Sequence, residues 1–158
     1  MLLGSDVLID RSPEDVWAFL ADISNLPKWD RGVAGARRLS PNSGSADFEF
    51  ETVAKPSRAD DGDAPGRMAY RVAGSETPNS CVVRLTSTTG NARFFKCAEW
   101  RFRAEPAPKG TRLLCRVAFN LKFRYVLLAP VLYLMQGAIR SDLKNLKRVL
   151  ENEGRDGR

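Results

Sequence analysis

The 158 residues include no histidine. This removes the commonest general base, and with it the Ser-His, Cys-His and His-metal constellations. Three cysteines remain, Cys81, Cys97 and Cys115. A nucleophilic thiol needs a cationic neighbour to lower its pKa. All three instead fall inside alternating strand-like runs, where a thiol packs as a small hydrophobe. Their odd number and wide spacing give neither a disulfide framework nor a C-x-x-C metal knuckle, and free thiols suit a reducing cytoplasm. Asp60, Asp61 and Asp63 flank Gly62, faintly like a calcium loop, but the EF-hand spacing and its closing glutamate are missing. A solvated loop is the reading taken. No phosphate loop or dinucleotide fingerprint occurs. No metal, cofactor or catalytic residue is therefore assigned. Two polar groups set in apolar patterns remain of interest, the hydroxyl of Tyr70 and the amide of Gln136. Each is costly to bury without a partner, so each is a candidate to orient a bound molecule.

The charge balance is +6, from 25 basic and 19 acidic residues. An excess of this kind favours anionic partners. It is dispersed, however, with local concentrations only at Arg37-Arg38 and around Lys144, Lys147 and Arg148, and no nucleic-acid reading motif accompanies it. No nucleic-acid partner is expected. The first residues lack a basic region followed by a long apolar run, so no signal peptide is read and the cytoplasm is the expected location. Tyr125 to Ile139 is strongly apolar but shorter than the ~20 residues that span a bilayer. A buried helix is the preferred reading, with transient membrane-surface contact as the alternative.

The elements that would position these groups follow from periodicity. Asp6 to Arg11 reads as a first strand. Ser12 is a good N-cap, Pro13 suits the first helical position, and Glu14 and Asp15 complement a helix N-terminus. Val16, Phe19, Leu20 and Ile23 then recur at helical spacing, and Pro27 disfavours helix at Leu26. Two short helices ending near Trp29 are predicted. Strand signals follow over Val33–Leu39 and Ala46–Val53, around Met68, Tyr70 and Val72, and around Cys81, Val83 and Leu85. They continue through Ala98, Trp100 and Phe102, and then Leu113 to Leu121. Turns are predicted at Thr89-Gly90-Asn91 and at Pro106–Gly110, with a long loop around Ala59–Gly66. Leu132, Met135, Ile139, Leu143, Leu146 and Leu150 sit three or four apart and predict a long amphipathic helix, kinked or started by Pro130.

This order is strand, two short helices, about six strands and one long helix, over a length that suits a single domain. Short connections imply an antiparallel meander whose apolar face the last helix covers. A twisted sheet of about seven strands curls, and one helix cannot fill its concave side, so a cavity is expected.

Ser12-Pro13-Glu14-Asp15-Val16-Trp17, Phe19-Leu20-Ala21-Asp22 and Leu26-Pro27-Lys28-Trp29 resemble the opening of START-like, Bet v 1-like domains. The branch they resemble is the polyketide cyclase/dehydrase and lipid-transport group. Gly110-Thr111-Arg112 and the helix carrying Leu143, Leu146, Lys147 and Glu151 resemble its far end. The resemblance implies an α+β helix-grip fold: a curved seven-stranded antiparallel sheet wrapped around a long C-terminal helix, with two short helices after the first strand. One such domain is expected over residues 1–153, with a frayed tail at 154–158. Because the family hosts carriers, receptors, cyclases and chaperone activators, fold does not fix function. The expected role is binding of a hydrophobic small molecule (a lipid, quinone or polyketide-like aromatic). The alternatives are a cyclase or dehydrase working in the same cavity and a protein-interaction module of the chaperone-activator type.

Strand parity and helix spacing nominate the ligand-facing set Phe48, Phe50, Tyr70, Val83, Leu85, Trp100, Phe102, Val117, Phe119, Leu132, Met135, Gln136 and Ile139, and the resemblance implies Trp29 beside them. Relatives of the cyclase kind use pocket arginine and tyrosine residues, but Arg71, Arg84, Arg101 and Arg116 fall on the outward phase of their strands. Parity cannot separate residues that line a cavity from those in packed core.

Overall fold

Alternating apolar residues over the middle of the chain form seven strands joined into one antiparallel sheet. The computed structural model describes residues 1–39, 47–56, 66–76, 80–88, 90–133 and 135–153. The strands are β1 (Leu2–Ile9), β2 (Val33–Arg38), β3 (Phe48–Ala54), β4 (Arg67–Glu76), β5 (Ser80–Leu85), β6 (Phe95–Ala107) and β7 (Gly110–Leu121). Their order is β1-β7-β6-β5-β4-β3-β2, so β1 and β2 are the edges. The helices are α1 (Pro13–Ala21), α2 (Leu26–Trp29), α3 (Ala129–Tyr133) and α4 (Met135–Glu153). This is the curved helix-grip α+β arrangement that the sequence implies.

Local chemistry explains the helix starts. The Ser12 side chain accepts from the Asp15 amide at 3.1 Å, and Pro13 occupies the first turn of α1. Asp22 caps the 3-10 turn Ile23–Asn25 by accepting from the Ser24 amide at 3.0 Å. α2 follows directly and is closed by Asn145 of α4, whose amide donates to the Trp29 carbonyl at 2.9 Å.

The core joins β1, β6 and β7 to α1, α2 and α4. Ile9, Val16, Leu113, Leu143 and Leu146 are fully buried there, beside Val117, Phe119, Trp29 and Leu150. The α4 backbone approaches β1 and α2 most closely. The outer face carries charge. Glu99 accepts from Arg84 at 2.8 Å and from Arg101 at 2.5 Å, and Glu51 accepts from Arg37 and Arg67. Arg71, Arg84, Arg101 and Arg116 are all exposed, as strand parity predicts.

Several boundaries differ from the sequence reading. β1 begins at Leu2, because pairing with β7 runs from Leu2↔Ala118 to Ile9↔Thr111. Gly90–Phe94 forms a 3-10 turn that leads into β6. Pro106 and Ala107 belong to β6 rather than to the following turn. Here β6 has outrun its β5 partner, whose pairing reaches Arg103, so the missing proline N–H breaks no ladder bond. The larger correction concerns Tyr125–Ile139. It is not a buried helix but a 3-10 segment (Phe123–Leu128), then α3, then the first turns of α4, with Leu127 91% and Tyr133 59% exposed. The last β6–β7 pair is Phe95↔Leu121, so the chain leaves the sheet at this point and has no strand to cover it. Pro130 sits in the first turn of α3, where it lacks only a donor that has no helical partner. No described helix is long and apolar enough to cross a membrane. The predicted loop 59–66, apart from Gly66, and the tail at 154–158 lie outside the described residues.

Candidate functional site

In an antiparallel ladder, directly opposed residues share a face. The pairs Phe48↔Val72, Phe50↔Tyr70, Tyr70↔Leu85, Val83↔Trp100 and Trp100↔Val117 therefore place most of the nominated residues side by side. Opposed pairs Phe102↔Cys115 and Ala98↔Phe119 continue the same inner face. The rings form a continuous wall across β3, β4 and β6. Phe48 and Phe50 lie 6.0 Å apart, Phe50 stacks on Tyr70 at 5.3 Å, and Tyr70 meets the edge of Trp100 at 5.5 Å. These spacings are those of favourable offset and edge-to-face pairs.

The wall meets the main core through Trp100, and Leu85 and Phe102 also pack against that core. Phe50, Thr52 and Val72 are buried, yet they stand outside the cluster built around α4. Tyr70, Val83, Leu85, Trp100 and Phe102 point inward and remain only half-buried. Val117 and Phe119 belong to the packed core, with Phe119 also against Phe95 at 5.9 Å. Trp29 links the two regions, since its ring meets Phe102 edge-on at 6.5 Å. From the helical side, Leu132, Gln136 and Ile139 are half-buried, and Leu132 and Ile139 pack against the core. The side chain of Met135 lies outside the described set.

The polar equipment of this interior includes two groups that the sequence reading passed over. Asp30 follows Trp29 directly. Its carboxylate accepts from the Gly32 amide at 2.8 Å, but burial still raises its pKa; the Gly32 and Val33 amides and the Lys55 charge offset this only in part. Asp142 lies on α4, one turn beyond Ile139, and accepts from the Arg31 amide at 3.4 Å. Burial raises its pKa too, followed by the negative charge of Asp30, against a weaker pull from Arg31 and Lys55. Burial pushes the Tyr70 phenol up to about 12, and Asp30 adds to the shift, while a hydrogen bond with Thr52 opposes it. The Tyr70 hydroxyl also lies 3.7 Å from Met68 Sδ. Cys81 and Cys115 are driven up to about 11 and about 12 respectively, chiefly by burial, so both are thiols at neutral pH and poor nucleophiles. Among the described residues no cluster of three or more acidic, cysteine or histidine side chains could hold a metal ion.

The site thus combines an aromatic wall, a tryptophan bridge and a phenol electrostatically linked to a carboxyl whose pKa burial raises. A signal for Asp142 did exist in the sequence: it falls three residues after Ile139, on the apolar side of the helix. Asp30 carried no comparable pattern.

A family model described as polyketide cyclase/dehydrase and lipid transport matches residues 4–151. No curated protein matches significantly. Among solved structures, TTHA0849 from Thermus thermophilus superposes with a TM-score of 0.75 at 20% identity, over 97% of this chain and 99% of that one. The Zhui aromatase/cyclase from Streptomyces sp. R1128 gives 0.72 at 12% identity, over 96% and 93%. The di-domain aromatase/cyclase BexL from the BE-7585A biosynthetic pathway gives 0.72 at 15% identity, over 96% of this chain and 46% of that chain. At these identities the likeness is one of fold.

Proposed function

Because this chain belongs to the polyketide cyclase/dehydrase and lipid transport family, we propose that it binds a hydrophobic small molecule between its sheet and α4. The observation that carries the reading is the inner-face wall Phe50–Tyr70–Trp100, whose rings touch one another yet remain half-covered at Tyr70 and Trp100. Inward aromatic surface that the protein's own helix leaves uncovered is what an apolar ligand would bury, at roughly 25 cal/mol per Å² before association costs. Rings at stacking distance favour a planar guest, an aromatic or a quinone, over a saturated chain. Tyr70 and Gln136 would orient it, and Trp29 would close one end. The proposed unit is residues 1–153, working in the cytoplasm.

Native mass spectrometry of protein purified from its own host tests this, together with thermal shifts against a panel of fatty acids, quinones and polycyclic phenols. A retained apolar mass, or stabilisation by a panel member that Tyr70→Ala and Trp100→Ala abolish, is the expected result. Bare protein that no panel member stabilises would overturn it.

One observation favours a second reading, in which the same inner face performs cyclase or dehydrase chemistry. Asp30 is raised toward protonation and influences the Tyr70 phenol, which suits proton transfer to and from an enolisable substrate. This reading requires turnover of a poly-β-carbonyl substrate that Asp30→Asn and Tyr70→Phe each depress while ligand binding persists. Binding without turnover leaves the carrier role.

A further inference from the structure

The sequence between Glu105 and Asp142 contains no acidic residue, yet holds Lys109, Arg112, Arg116, Lys122, Arg124 and Arg140. The stretch from Asn91 to Ala98 likewise has Arg93 and Lys96 and no acid. Folding brings parts of the two together. The Lys122 amide donates to the Phe94 carbonyl at 3.1 Å, and the Phe94 and Tyr125 rings meet edge-on at 4.9 Å. Lys96 and Val126 line one open groove of about 410 Å³ with Phe119, Leu121 and Ala129. Around this junction large apolar side chains stand in solvent: Phe123 at 95% exposure, Leu127 at 91% and Val126 at 51%, with Tyr133 beyond them on α3. Among the described residues Arg93, Lys96, Lys122 and Arg124 form no ion pair; Arg93 and Arg124 lie over the Phe94 and Tyr125 rings instead.

We propose that the face formed by Phe123–Tyr133 and the cations Arg93, Lys96, Lys122 and Arg124 docks on the surface of an anionic phospholipid bilayer. Charge complementarity selects this occupant: a single-sign basic rim around protruding Phe and Leu side chains matches a negative headgroup layer over hydrocarbon. The same rim opposes a second copy of the chain, because two such faces would bring eight cations together. The aromatic side chains Phe123, Tyr125 and Tyr133 suit the interfacial depth, where a ring contacts acyl chains and a hydroxyl stays wet. The inference stands apart from what the inner face binds, since vesicle binding requires no such ligand.

Co-sedimentation with phosphatidylcholine vesicles, with and without phosphatidylglycerol, tests it. The protein should pellet with the anionic vesicles, and salt should release it. Lys122→Glu/Arg124→Glu should weaken binding about tenfold or more. Phe123→Ser/Leu127→Ser should abolish binding yet melt like the parent, because both side chains are almost wholly exposed. A Phe123→Trp variant should be quenched by brominated acyl chains. Protein that stays in the supernatant, a serine variant that binds as the parent does, or an unquenched Phe123→Trp variant would each overturn the proposal. A dimer by sedimentation equilibrium that the serine variant splits would assign the face to a second copy. A monomer indifferent to both vesicles would assign it to a protein partner.

Discussion

Replacing Gly110 with alanine should be among the most damaging single-atom-scale changes in this protein. Gly110 opens β7 with φ of +95°, a region that residues with a Cβ avoid. Its backbone also runs against the β1–α1 connection. An added Cβ would lie 2.1 Å from the Ile9 carbonyl oxygen and 2.7 Å from the Arg11 amide nitrogen. Both neighbours are backbone, so no side chain can rotate away, and the connection must shift by about an ångström to restore van der Waals contact. That connection is tied down at several points. Thr111, fully buried, donates its hydroxyl to the Arg11 carbonyl at 2.8 Å. Arg11 Nε donates to the Leu150 carbonyl at 3.2 Å, and the Asp10 amide donates to Glu151 at 3.0 Å. Ile9 itself is fully buried.

The left-handed backbone costs about 1–2 kcal/mol, displacing a packed core residue about as much again, and a lost buried hydrogen bond about 1 kcal/mol. Together these predict a loss near 4 kcal/mol, which for a chain of this length lowers Tm by roughly 8–16 °C. Circular dichroism melts and urea unfolding measure it directly. A Gly110→Asn control separates the causes. Asparagine tolerates positive φ but carries the same Cβ, so it should be nearly as harmful as alanine. If alanine costs under about 1 kcal/mol, or if asparagine recovers most of the loss, then the steric reasoning at the β6–β7 hairpin is wrong.

Leu146→Ala, at a fully buried α4 position, should cost about 3 kcal/mol, seen as a lower urea midpoint with an unchanged m-value. Asp30→Asn should stabilise the protein at neutral pH. Burial raises the Asp30 carboxyl, so its contribution is complete below the unfolded pKa and is lost as pH rises through the folded one. The stability difference between Asp30→Asn and the parent should therefore grow as pH rises from about 4 through the raised folded value, and a difference that stays flat up to neutral pH would contradict the assignment. A chromogenic disulfide reagent should modify exposed Cys97 quickly in the native protein, half-buried Cys81 far more slowly and buried Cys115 only on unfolding, because burial raises the pKa of both of the latter thiols. Rapid labelling of more than one thiol without unfolding would show that the inner face opens more readily than its packing indicates.

Local pattern was enough to write down the inner face. Alternation assigns Phe48, Phe50, Tyr70, Trp100 and Phe102 to one side and Arg71, Arg84, Arg101 and Arg116 to the other. A strand's parity is a property of adjacent residues, and it survives whatever the strand pairs with. The amphipathic stripe Leu143, Leu146, Leu150 and the Ser12-Pro13 helix start are local in the same sense. Tertiary structure decided which rings touch, which of them join the packed core, and that Asp30 and Asp142 share an environment with Tyr70. Those relations join residues 20 to more than 100 positions apart, so they depend on sheet curvature and on where α4 comes to rest. The segment after β7 shows the converse: its composition is that of a core helix, but burial needs something to lie against, and the sheet ends before it arrives.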